Sequence, residues 1–264
     1  MGNESNSFSK YLVIFVDILG SQNRDDFQET YKINKIFHEE LERNKQNDMM
    51  HTAYFRKIYT FSDCAYIFYG FKDGISDERK DEGELFKVAL CNCEPIFLRF
   101  IKERILFRGG ISYGDAYVDS LKSMFFGEAV NKAYKLESEI AIHPRIVIDD
   151  YIAKAVLENI SSVKYKMAVK NSEIISLLEA GLIPKMPETG EGIIEQDIDE
   201  KYIYNYLHFP ENNIILDEYY LSGDDFIKEI IDYCAEQINK NTHYKIIDKY
   251  FYLQRFVQNK LRNC

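Results

Sequence analysis

The run "YLVIFVDILGS" (11–21) constrains this chain more than any other stretch. It is almost continuously apolar, is interrupted by one charge at Asp17, and closes with Gly20 and Ser21. Such a run predicts a buried central strand that leads into a loop. An unpartnered carboxylate is costly to bury, so Asp17 belongs at the strand's end, where it can meet something.

The segments that follow alternate in period. Residues 25–47 carry Phe27, Tyr31, Ile33, Phe37 and Leu41 near helical spacing. "RKIYTFSDCAYIFYGF" (56–71) reads as two strand-like runs meeting at Asp63, a hairpin over about 53–70. A polar connection, "KDGISDERKDEGE", precedes a second helical stretch near 84–103, where Pro95 predicts a kink or a break. "ILFRGGISYGDAYVD" (105–119) predicts a strand, a glycine-marked bend and a second strand. "GEAVNKAYKLESEI" (127–140) predicts a helix with Val130, Ala133, Tyr134 and Leu136 near one face, and "RIVID" (145–149) a short strand. The order is that of an α+β, ferredoxin-like βαββαβ unit with additional pieces. Beyond 150 the pattern is weaker: a helix, a loop and a return to the sheet over 171–196, a last strand in "KYIYNYLHF" (201–209), and one or two amphipathic helices over 223–264. The expected organisation is one domain over 1–215 with a C-terminal helical extension over 216–264.

Composition narrows the function classes. A net charge of −10 argues against a nonspecific nucleic-acid binder, which needs clustered Lys and Arg. No apolar run approaches the roughly 18 residues of a membrane span. The opening "MGNESNSFSK" lacks a signal peptide's apolar core, and Asn6 stands where myristoylation wants Ser or Thr. Cys64, Cys91, Cys93, Cys234 and Cys264 show no CxxC spacing, as expected of free thiols in a reducing cytoplasm.

Asp17 and Asp63 are 46 positions apart, with one long helix between them. In a βαββ layout the first strand lies beside the hairpin, and both carboxylates emerge at one edge. Either acid alone reads as a helix cap or an ordinary turn residue. Together they repel unless a cation sits between them, and magnesium takes one or two protein carboxylates beside phosphate oxygens. Gly20 and Ser21 leave backbone N–H groups free to meet phosphates.

At this point "FVDILGS", "IYTFSDCAYIF", "RGGISYGD" and "FFGEAVNKAYKLES" resemble, in order and spacing, the signatures of the class III nucleotidyl cyclases, over about residues 11–150. The resemblance implies a homodimer with active sites at its interface. It implies Asp17, Asp63 and the carbonyl of Ile18 as ligands of two Mg²⁺ or Mn²⁺ ions, and attack of a ribose 3′-hydroxyl on the α-phosphate of a nucleoside triphosphate. Asn131 matches the asparagine that orients the ribose. Lys135 stands where the family has a transition-state arginine, and Arg108 is an alternative cation or equally a surface ion-pair partner. Lys201 is a further candidate for the terminal phosphates. At the two base-reading positions the chain has Tyr59 and Met124, which do not reproduce the charged readout of a purine. In that respect it is similar to the pyrimidine cyclases of Pycsar antiphage systems, which make cyclic UMP or cyclic CMP for a separate effector protein. The expected activity is therefore cytoplasmic conversion of UTP to cyclic UMP, with CTP, a purine triphosphate, or a degenerate nucleotide sensor as alternatives. Diguanylate cyclases and polymerase palms share the sheet, but "TFSDCAY" lacks the paired glycines and second acid of a GGDEF-type hairpin.

Overall fold

The computed structural model describes residues 7–20, 26–46, 53–119, 122–161, 192–208 and 223–261. The strand read from the opening run is β1 (Ser9–Ile18), in which Leu12, Val13, Ile14 and Val16 are fully buried on both faces. That burial requires strands on either side and layers above and below. The chain continues through α1 (Phe27–Gln46), the hairpin β2 (Tyr54–Phe61) and β3 (Cys64–Phe71), α2 (Glu82–Lys102), β4 (Phe107–Asp119), β5 (Met124–Gly127) and α3 (Glu128–Lys135). A π-helical turn over Leu136–Ile140 extends α3 and is followed by β6 (Ile146–Ile148) and α4 (Asp150–Ser161). Next come β7 (Ile194–Gln196), β8 (Tyr202–Tyr204), α5 (Gly223–Lys240) and α6 (Tyr244–Leu261).

The strands form one mixed sheet in the order β2-β3-β1-β4-β6-β8-β7, with β5 paired to β4. Every neighbouring pair is antiparallel except β4 and β6. The protein is an α+β molecule. Alternation along β1 splits its side chains between two cores. Leu12, Ile14, Val16 and Ile18 enter the larger one with residues of α1, α2, α4, α5 and α6. Val13 and Phe15 enter a smaller one, which α3 covers with Ala129, Val130 and Ala133. Asp17 falls on the smaller side.

Several expectations are corrected. Phe27 and Tyr31 are exposed and stack on each other, while Ile33, Ile36 and Phe37 make the buried face of α1. Pro95 neither breaks nor splits α2, which is continuous across it. An interior proline costs about 3 kcal/mol, but Cys93, Ile96, Phe97 and Leu98 around it are buried, each large apolar side chain being worth about 1.5–3 kcal/mol. The glycines of "RGGISYGD" make no bend: 107–119 is one strand, with Gly109 and Gly110 opposite Val16 and Phe15. The strand that folds back is β5, which the sequence pattern did not suggest, and α4 was also unread. The helix and loop expected within 171–191 lie outside the described residues.

What Gly110 permits is close packing. A β-carbon there would lie 2.2 Å from the carbonyl oxygen of Ala133 and 2.6 Å from Cβ of Leu136. Ser112, next on that face, donates its hydroxyl to the carbonyl of Ala129 at 2.5 Å, and a β-carbon at Gly114 would meet Cβ of Ala129 at 3.7 Å. Small residues on β4 meet alanines on α3, and the helix backbone comes down nearly onto the sheet.

Candidate functional site

Asp17 is directly opposite Cys64 on β3 and Arg108 on β4. Cross-strand partners point to the same face, so three adjacent strands present Cys64, Asp17 and Arg108 in a row. Asp63 sits beside this row, in the two-residue turn of the β2–β3 hairpin, where Ser62 takes a left-handed φ of 48°. The turn is tied to β1, since the Ile18 N–H donates to the Asp63 carbonyl at 3.0 Å. Gly20, just beyond, has φ of 81° with open space beside its α-carbon, a conformation that favours glycine. Ser21 lies outside the described residues.

The close approach of α3 adds a residue that sequence reasoning missed. The π-helical turn buries Glu137, whose Oε1 lies 2.5 Å from Arg108 Nε. The pair is misaligned for a hydrogen bond and is held as an ion pair. Arg108 Nε also lies 3.6 Å from Asp17 Oδ2, so one guanidinium stands between two carboxylates. A single helical turn of this kind is often found at functional positions, but nothing in "KLES" distinguishes a buried glutamate from a solvated one.

The row is electrostatically tense. Burial pushes the Asp17 carboxyl above its ordinary value; Arg108 opposes the shift and Asp63 adds to it. Burial pushes Glu137 up to about 7, with Arg108 opposing and Asp17 adding. Cys64 is raised to about 11 by burial and by the carboxylates of Asp63 and Asp17, so it stays a thiol. Among the described residues no group of three or more His, Cys, Asp or Glu side chains is arranged to hold a metal ion. Two carboxylates that repel each other, beside a main-chain carbonyl, nevertheless suit a magnesium-type ion, which needs no larger protein cage.

The remaining candidates fall into two further groups. Asn131 and Lys135 are both exposed on α3 and line an open concavity with Phe126, Gly127, Glu128 and Lys132. Lys132 pairs with Asp149. The residues of the acid row are not part of this concavity. Tyr59 is half-buried, with its ring 5.0 Å from Phe125 and 5.7 Å from Phe68. Its hydroxyl is buried without a hydrogen-bond partner, and burial, with Asp119 and Tyr11 adding, raises it to about 12. Met124 is 40% exposed and is the cross-strand partner of Asp119. Lys201 is exposed, and its carbonyl closes the turn that carries Asp197 and Asp199. No helix among the described residues is long and apolar enough to cross a membrane.

No protein-family model matches the chain, and no curated protein does. Among solved structures it is similar to a bacterial light-regulated adenylyl cyclase, at 18% identity and a TM-score of 0.39, over 56% of this chain and 45% of that one. This chain therefore spans less than half of that protein's length.

Proposed function

We propose that the protein is a class III nucleotidyl cyclase with a ferredoxin-like catalytic core, and that it forms cyclic UMP from UTP. The observation that carries the reading is the row on β3, β1 and β4. It holds Asp17 against Arg108 and sets Asp63 beside it at the turn. The inner strand order β2-β3-β1-β4, antiparallel throughout, is the order that a βαββαβ unit requires.

In this reading Asp17, Asp63 and the Ile18 carbonyl would hold Mg²⁺ or Mn²⁺. When bound, such ions lower the pKa of the ribose 3′-hydroxyl and offset charge on the phosphates. A bond forms between the 3′-oxygen and the α-phosphorus, the bond from that phosphorus to the bridging oxygen breaks, pyrophosphate leaves and the hydroxyl proton passes to water. Arg108, clamped by Glu137, keeps the Asp17 carboxylate in a fixed orientation. Asn131 orients the ribose. Lys135 supplies positive charge without the bidentate fork of an arginine.

Asn131 and Lys135 line a concavity apart from the acid row, which favours sites completed by a second copy of the chain. Phe61, Phe126 and Tyr134 are each about half exposed on this side of the molecule, as a face awaiting a partner would be. The pyrimidine preference is supported by the Tyr59 hydroxyl, buried and unpartnered within an aromatic wall formed with Phe68 and Phe125. It can exchange one hydrogen bond with a small base. The antiphage role and the separate effector rest on the resemblance in sequence.

The test is to incubate the protein with each of the four ribonucleoside triphosphates and Mn²⁺, and to identify products by mass. Cyclic UMP is expected, falling about a hundredfold to a thousandfold in Asp63→Ala, the loss when a charge-stabilising group is removed from a reaction centre. Cyclic CMP would move the choice of base. Cyclic AMP or cyclic GMP would keep the reaction and sink the role given to Tyr59. No product from any substrate would overturn the proposal.

A further inference from the structure

Arg108 is shared between two carboxylates of unequal freedom. Its Nε lies 2.5 Å from Glu137 Oε1 and 3.6 Å from Asp17 Oδ2. Glu137 is 2% exposed, while the side chains of Arg108 and Asp17 are 26% and 27% exposed, so the row is closed at the glutamate and open at the other two. The glutamate has no room to follow the arginine. The Ala141 N–H closes the π-helical turn on the Leu136 carbonyl at 2.8 Å, and a β-carbon on Gly110 would come 2.9 Å from the Glu137 nitrogen. Asp17 cannot retreat either, because β1 is paired on both sides at that residue, with Cys64 of β3 and with Arg108 itself. Moving the guanidinium away would leave a buried carboxylate without its cation, which is strongly destabilising. Arg108 therefore stays beside Asp17 when something else enters the row.

We infer that Arg108 is a resident competitor for Asp17, occupying one carboxylate oxygen and holding down the affinity of the row for a divalent cation. The inference rests on reading the acid row as a cation site. A guanidinium against Oδ2 leaves Oδ1 for an ion, and that ion meets a positive charge already in place. The charge has a use in the empty row, where Asp17 and Asp63 would otherwise face each other uncompensated. One residue thus stabilises the row when it is unloaded and opposes its loading. Glu137 makes the arrangement permanent, since it fixes the arginine where it competes. The row then fills reversibly from the medium instead of retaining its ion, and Arg108 sets the balance.

The test follows Mn²⁺ binding to the full chain without nucleotide, from the loss of the free ion's electron paramagnetic resonance signal. Asp17→Ala should abolish saturable binding, which places the ion in the row. Arg108→Gln should bind Mn²⁺ about tenfold more tightly than the wild type, the low end of what one neighbouring unit charge does to a carboxylate's hold on a proton. Damage to the fold would lower the affinity, so a gain does not come from a merely structural role. Arg108→Lys, which keeps the charge, should return most of the way to the wild-type value. Arg108→Gln combined with Glu137→Gln keeps the net charge and frees the Asp17 oxygen, and should still bind more tightly than the wild type. Affinity no better than wild type in Arg108→Gln or in the paired variant would overturn the inference, as would binding that survives Asp17→Ala unchanged. If both variants gain affinity in a protein that makes no cyclic nucleotide, the cyclase reading fails while the competition stands. If cyclic product forms and neither variant gains affinity, only the role of Arg108 fails.

Discussion

At Gly110 a side chain of any size would strike the backbone of α3, and the same contact decides where Glu137 stands. Gly110→Ala is therefore expected to cost about 1–3 kcal/mol, the usual penalty for overpacking, read from the urea midpoint at unchanged slope. Glu137 allows a second prediction. Its folded-state value of about 7 lies above the ordinary 4.5, so between those values the folded chain holds more protons than the unfolded one. Stability must then fall as pH rises through that window. With metal chelated, urea titrations from about pH 5 to pH 7 should show this slope, and Glu137→Gln should lose it; equal slopes in both would refute the assignment. At this scale the sequence was legible where a charge interrupts an apolar run, as at Asp17 and Asp63. It was not legible at Glu137, because burial there depends on a glycine 27 positions upstream.

Among the elements, α6 is joined to the sheet through Arg145. That guanidinium is buried and donates to Asp197 at 2.6 Å, to Asp199 at 2.6 and 2.9 Å, and to the Ile140 carbonyl at 2.9 Å. Tyr252 of α6 shares Asp197 with it, so one cluster connects β6, the β7–β8 turn, the end of the π-helical turn and α6. Arg145→Met leaves the partly buried Asp197 with only the longer Arg255 ion pair at 3.5 Å and is expected to cost about 1–3 kcal/mol. Amide exchange should then accelerate in α6 before it does in β1 and β3. Uniform acceleration would mean that α6 is not specially dependent on this residue. The elements that were read correctly are those whose hydrophobic period is long and continuous, β1 and the β2–β3 hairpin among them. The glycine pair of β4 was misread because glycine marks a close approach as readily as a turn. The break expected as one outcome at Pro95 does not occur, because a buried helix absorbs a missing hydrogen bond.

Among the described residues, five helices pack over one side of the sheet and α3 over the other, leaving aromatic side chains partly open there. If a second copy completes each site, Asp17→Ala and Asn131→Ala should each be inactive alone. Mixed after unfolding and refolding together, they should recover about one quarter of wild-type activity, since random pairing in a two-fold dimer makes half the dimers mixed, each with one intact site. No recovery would show that each chain works from its own residues. The order of strands and helices in the first half was visible from sequence because neighbouring segments pair with each other. The way α5 and α6 return to the sheet was not, because those contacts join distant parts of the chain.

The Arg145 cluster has a kinetic consequence. Asp197 lies 52 positions from Arg145, and Tyr252 a further 55 beyond. Contacts of such separation repay their loop-closure entropy only after both ends are in place. The β2–β3 hairpin that presents Asp63 closes across a two-residue turn. The turn that carries Asp63 is therefore early structure and the seating of α6 a late event, so the refolding chain holds its hairpin before the helix bearing Tyr252 comes to rest.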